Sequence, residues 1–258
     1  MQEYLDKIDD LVKLLLFTPT RAQDSLNVVH DACFKAILDN DMVVSSSLKL
    51  PLCQDTGVVT LFVGHDCLTK GQIETIKNCF QAQFNLFARP SMLSSPFIEQ
   101  HSLEDMQMCF LEELRDVRGI GAIISGAGTE MHSFLKVYPG TSDFSTVKKD
   151  ILTWVKERGA LACPPVHISI AMGGTAAEAC KQSKMGFLFG SNMPQSFEDE
   201  YDELVTSIKG LEVDPLGKRG NWVGNVFLRV LPTHISAVPV SMSFMCWPFR
   251  AEWMEIAS

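Results

Sequence analysis

Apolar residues recur at helical spacing through the first part of the chain. Leu5, Ile8, Leu11, Val12 and Leu15 share one face of a helix; Leu26, Val29, Cys33, Ala36 and Ile37 share one face of a second, with Pro19 between them. This predicts a helical N-terminal part over residues 1–45. The period then changes. Val58-Val59-Thr60-Leu61-Phe62-Val63 is a short run rich in β-branched residues and predicts a strand. Residues 70–87 and 103–115 read as helices, and 118–124 as a buried strand that leaves through Ser125-Gly126-Ala127-Gly128-Thr129. Asp143 is placed to cap a helix that carries Val147, Ile151, Trp154 and Val155 on one face and stops at Gly159. A strand over 166–172 runs into Gly173-Gly174, and Thr175 and Glu178 have capping-box spacing for the helix after it. The acidic run 197–203 reads as a solvated face. Two strands, 226–231 and 235–245, are split by Pro232 and His234. The pattern predicts a mixed α/β fold: N-terminal helices, then a mixed sheet with flanking helices. With no internal repeat and no long linker, one domain over 1–258 is expected.

Composition narrows the class. Of 258 residues 46% are hydrophobic and 21% charged, enough to build a core and unlike a disordered chain. A net charge of −9 argues against nucleic-acid binding, which needs a basic stripe to displace counterions. No apolar run nears the roughly 18 residues of a membrane span, and the acidic start MQEYLDKIDD does not read as a signal peptide. A soluble, cytoplasmic protein with no nucleic-acid and no membrane partner is expected.

The eight cysteines form no CxxC pair. In a long chain without a leader they read as thiols rather than as a disulfide framework. Cys33, Cys79, Cys109 and Cys180 lie in helix-like patterns and read as small buried hydrophobes; Cys67, in a loop, has no assignment. Cys53, Cys163 and Cys246 differ, because each lies in a Pro- or Gly-marked turn beside a predicted strand, where a sheet can aim a side chain. Three thiolates from such turns would suit a soft metal or an iron–sulfur cluster. Spacing alone matches no compact metal motif and leaves buried structural cysteines as the alternative.

The surroundings of these cysteines carry a resemblance. Pro51-Leu52-Cys53-Gln54-Asp55-Thr56-Gly57 resembles the P-x-C-Q-D-T-G signature of the iron–sulfur hydro-lyases, the class I fumarase and L(+)-tartrate dehydratase family. Ala162-Cys163-Pro164-Pro165-Val166-His167-Ile168 with Gly173-Gly174-Thr175 is similar to that family's A-C-P-P-x-x-I strand and G-G-T turn. Leu231-Pro232-Thr233-His234, then Pro239-Val240, then Cys246, resembles its third segment. The likeness runs from about residue 50 onward and corresponds to the α chain. It implies a single α-type catalytic domain in which Cys53, Cys163 and Cys246 hold a 4Fe–4S cluster on loops at strand ends. One iron would stay without a protein ligand, to bind a substrate hydroxyl as open-site catalytic metals do.

The same resemblance implies roles for other positions. Asp55 and His234 match catalytic residues, and Arg89 matches an arginine that grips a substrate carboxylate. Gly126, Gly128 and Thr129 lie in a loop similar to K-G-G/A-G-S-E-N-x-S, whose backbone N–H groups could approach a carboxylate. Read without the motif, Asp55 is a turn-capping residue, Arg89 a surface arginine and His234 a structural histidine. The loop departs from the pattern, with Ser125 for the lysine and Met131 for the asparagine; of the arginines after the third cysteine, Arg250 is left. The implied reaction is reversible hydration of a small hydroxy-dicarboxylate, fumarate/malate or tartrate. Only twelve residues follow Cys246, so the resemblance implies a separate β-type subunit, with further oligomerisation. Phe244, Trp247, Phe249, Trp253 and Met254 are candidates for that contact or for a core end. Competing expectations are an impaired homologue that keeps the cluster for structure or sensing, and a non-enzymatic interaction subunit.

Overall fold

The computed structural model describes residues 1–53, 55, 57–88, 109–212 and 222–256. Along the chain run α1 (Gln2–Leu16), α2 (Ala22–Asn27), α3 (Ala32–Leu48), β1 (Val58–Gly64), α4 (Lys70–Asn85), β2 (Cys109–Leu114), β3 (Gly119–Ser125) and the single-turn α5 (Ala127–Glu130). They are followed by β4 (Phe134–Pro139), α6 (Phe144–Arg158), β5 (Val166–Gly174), α7 (Ala176–Phe189), α8 (Glu198–Lys209), β6 (Val223–Thr233), β7 (Ala237–Met245) and β8 (Ala251–Glu255). The class is mixed α/β, as the pattern predicts. Among the described residues the strands form two four-stranded sheets. The chain divides into two compact units: Met1–Ala22, Ile37–Ala127 and Arg250–Ser258 make the first, Gln23–Ala36 and Gly128–Phe249 the second.

The first unit has the sheet order β2-β1-β3-β8, with β1 parallel to β2 and antiparallel to β3. Alternate residues of β1 and β3 (Val59, Leu61, Val63; Ile120, Ala122, Ile124) face α1 and α4, which bury Leu11, Val12, Leu15, Ile76, Phe80 and Phe84 against them. Gly119 and Gly121 of β3 leave room for the ring of Trp253, since a Cβ on either would lie 2.4 or 2.7 Å from it.

The second unit has the order β4-β7-β5-β6. Its central strand β5 is buried from Val166 to Met172, as expected of a strand covered on both faces. Val166, Ile168 and Ile170 pack with Val147, Ile151 and Val155 of α6 and Leu204 and Ile208 of α8. The alternate residues face α7: a Cβ on Gly186 would fall 2.0 Å from the Ser169 hydroxyl, and Ser183 Oγ lies 2.8 Å from Ser243 Oγ. Small residues let α7 lie close to the sheet. The predicted caps are in place, with Asp143 accepting the Thr146 N–H at 2.8 Å and Thr175 the Glu178 N–H at 3.1 Å.

Several expectations are corrected. Cys109–Leu114, read as part of a helix, is strand β2; parallel pairing with β1 overrides its local pattern. Residues 103–108 lie outside the described residues. The second predicted helix is two, because Asp31 starts α3 afresh by accepting the Phe34 N–H at 2.7 Å. Cys33 and Cys79 are exposed rather than buried. Cys109 is buried, which pushes its thiol pKa up to about 12. Phe244, Trp247 and Phe249 are core residues. No described helix is long and apolar enough to cross a membrane.

Glu252 on β8 is buried beside Thr20, whose backbone N–H and hydroxyl both lie 2.6 Å from its Oε1. Burial holds its carboxyl above the ordinary glutamate range, opposed by the Thr20 bonds. The folded state therefore binds this proton more tightly than the unfolded chain. The stability it contributes is fully present below the unfolded pKa and is lost as pH rises through the raised folded pKa. Melting temperature measured across that window is expected to fall less steeply in Glu252→Gln than in wild type; equal slopes would refute the assignment.

Candidate active site

In the first unit the Cys53 loop precedes β1, and the glycine-rich loop follows β3. These strands are antiparallel neighbours with Val58 opposite Ser125, so both loops emerge at the same end of the sheet. The Leu52 N–H donates to the Leu16 carbonyl at 2.7 Å, which ties the half-buried Cys53 turn to the end of α1. Asp55 Oδ1 accepts the Gly57 N–H at 3.0 Å, closing an Asx turn, and its Oδ2 accepts the Ala127 N–H at 2.8 Å. The buried Arg250 donates from Nη1 to the Asp55 carbonyl at 2.7 Å.

The two loops interlock too closely for side chains at two glycines. Gly57 has φ +67°, and a Cβ there would sit 2.4 Å from the Ser125 carbonyl oxygen. A Cβ on Gly126 would sit 2.8 Å from Asp55 Oδ2. The resemblance implies loop N–H groups that approach a ligand carboxylate. One of them, on Ala127, instead holds the protein's own Asp55.

In the second unit Cys163 precedes β5 and Cys246 follows β7. These strands are also antiparallel neighbours, with His167 opposite Met245, so the two cysteine turns stand at one end of the sheet. They are joined directly: the Trp247 N–H donates to the Cys163 carbonyl at 3.2 Å. The Phe249 N–H closes the Cys246 turn by donating to the Cys246 carbonyl at 3.0 Å. Cys163 is exposed and Cys246 half-buried; all eight cysteines are described and none forms a disulfide. Among the described residues no three His, Cys, Asp or Glu side chains gather closely enough to hold a single metal ion.

The remaining candidates fall in different places. His234 is exposed in the β6–β7 turn, its Nδ1 accepting the Ser236 N–H at 3.1 Å. Of the eleven residues between it and Cys246, nine form β7, about 30 Å of extended chain. His234 and Cys246 thus stand at opposite ends of β7. Gly128 has no steric demand for glycine, Thr129 is buried, and Glu130 pairs with Lys184. Ser125 is buried and Met131 is exposed. Arg89, with Gln54 and Thr56, lies outside the described residues.

Sequence reasoning missed the Arg250 contact with Asp55, which only folding reveals. It also passed over Ser25 and His167, both buried in the second unit. A histidine within an apolar strand was the one available signal, since such a group must find partners.

The profile of the fumarate hydratase (fumerase) family matches residues 20–255. The chain belongs to that family and is a hydro-lyase. A Methanocaldococcus jannaschii protein with the provisional name L(+)-tartrate dehydratase subunit alpha is 27% identical over 240 residues, which cover 84% of this chain and 81% of that protein.

The interlock of the two loops is testable. Gly57→Ala places a Cβ against backbone at a left-handed φ and is expected to cost roughly 1–3 kcal/mol in denaturant unfolding. Gly128→Ala, where nothing lies within 4 Å, is expected to stay within about 0.5 kcal/mol of wild type. Equal effects would refute the steric account.

Proposed function

We propose that this hydro-lyase adds water to, or removes it from, a small hydroxy-dicarboxylate of the fumarate/malate or tartrate type, with Cys53, Cys163 and Cys246 holding a 4Fe–4S cluster. The observation that carries the reading is the hydrogen bond joining the Cys163 and Cys246 turns, residues far apart in sequence. The donor set suits the group: three thiols, none in a disulfide, each in a turn next to a strand. Thiolates of a cluster bind separate irons and stand farther apart than the donors of a single ion, so a tight trio is not required. Bound with one iron free of protein ligands, the cluster would supply Lewis acidity to a departing hydroxyl.

The chain's own residues handle the rest. Both oxygens of Asp55 are held by backbone N–H groups, yet each keeps a lone pair. Asp55 thus stands as a fixed acceptor that can take a hydrogen bond from substrate or hold a proton. Arg89 would grip a substrate carboxylate bidentately, on the strength of its motif. Gly126 keeps the loop backbone open beside Asp55, with Gly128 and Thr129 next in it. His234 would contact the substrate, on the strength of its motif, from the end of β7 opposite Cys246. The two compact units serve as one catalytic α-type part, paired with a separate β-type subunit; support for the pairing is the alpha-subunit name of the archaeal relative.

Anaerobic reconstitution tests the ligand set. Cys53→Ser, Cys163→Ser and Cys246→Ser are each expected to lower bound iron, since serine is a poorer ligand for such iron, whereas His234→Asn keeps it in full. Wild-type iron content in Cys246→Ser would overturn the assignment. A turnover screen with malate, fumarate and the tartrate isomers, with and without a β-type partner, identifies the diacid.

A further inference from the structure

The Cys246 turn is braced from inside the second unit by a chain of buried polar groups. The ring of His167, on β5, is fully buried. Its Nδ1 accepts the Asn225 N–H at 3.0 Å, so its proton sits on Nε2, 2.6 Å from the Ser25 hydroxyl oxygen. That hydroxyl, itself fully buried on α2, donates to the Trp247 carbonyl at 2.6 Å. The Trp247 N–H in turn reaches the Cys163 carbonyl. Every group in the relay has a donor or acceptor opposite it, which gives such a buried network a single arrangement.

The strands are shaped around this ring. β5 advances two residues from Val166 to Ile168 while β6 advances three, from Val223 to Val226. The resulting bulge turns the Asn225 N–H out of the ladder and toward His167. Gly224 lies beneath the ring, where a Cβ would fall 2.6 Å from Cε1. Phe249, which closes the Cys246 turn, meets the ring edge-on at a centroid distance of 4.5 Å.

We infer that Ser25 and His167 are positioning residues that hold the Cys246 turn against the Cys163 turn. The inference rests on the proposed ligand set for its purpose, though its geometry is independent of the cluster. Outer partners that fix ligand orientation commonly change metal retention when removed. Ser25→Ala removes the hydroxyl and leaves both His167 Nε2 and the Trp247 carbonyl without it. Ser25→Thr restores the hydroxyl. His167→Gln offers an amide acceptor and donor in place of the ring, while His167→Phe offers neither.

The full chain, purified without iron, is alkylated with iodoacetamide and each cysteine's rate is read by mass spectrometry. Ser25→Ala and His167→Phe are expected to raise the rate at Cys246 several-fold while Cys180, half-buried on α7 of the same unit, keeps its wild-type rate. Ser25→Thr and His167→Gln are expected to behave as wild type. After reconstitution, iron loss to a chelator should be about tenfold faster in Ser25→Ala. An unchanged rate at Cys246 would overturn the inference. So would a parallel rise at Cys180 or outright unfolding, either of which would reduce these residues to general core packing. A wild-type chain that takes up no iron would instead sink the cluster reading and leave the alkylation result standing.

Discussion

Antiparallel neighbours in a sheet bring the residue before one strand and the residue after the other to the same end. That constraint acts in both units of this chain. In the second, the β5–β7 register sets Cys163 beside the turn of Cys246. In the first, the β1–β3 register sets the Cys53–Asp55 loop beside the glycine-rich loop. Each pairing is fixed by a ladder of backbone hydrogen bonds backed by a buried face, so slippage by one residue would turn the core side outward.

Loops placed by strands still need local braces, and here these are polar contacts, partly exposed in the first unit and buried in the second. Arg250 and the backbone of Ala127 hold Asp55 in the first unit. His167 and Ser25 hold the Trp247 carbonyl in the second. The groups of the second set lose hydration on burial and are stable only when fully matched. A mismatch in either set would destabilise the loop it braces, which ties the rigidity of these loops to a few specific residues.

In the proposed reading, a structural and a chemical role coincide in the Asp55 carboxylate. Its Asx turn and its bond to Ala127 are what any turn-capping aspartate could make. The same bonds fix two oxygens beside a glycine loop whose closeness excludes side chains. A carboxylate with its orientation settled in advance needs no rearrangement to meet a substrate, which is the advantage of preorganised polar groups.

Much was legible in the sequence because it depends on neighbours along the chain. Apolar periodicity marked α1, α4, α6 and most strands, capping residues marked α6 and α7, and the Cys53, Cys163 and Cys246 turns announced themselves by proline and glycine. The family, too, is written in those short motifs. What depends on pairing across the chain was not legible. The residues of strand β2 read as part of a helix and form a strand because β1 offers a partner. Strand β7 sets His234 and Cys246 at its opposite ends, a separation that their offset in sequence does not announce. The bulge in β6, the Arg250 contact and the Ser25–His167 relay join segments remote in sequence. Only folding sets those distances, because hydrogen bonds and close packing are decided within a few ångströms and sequence separation says little about them.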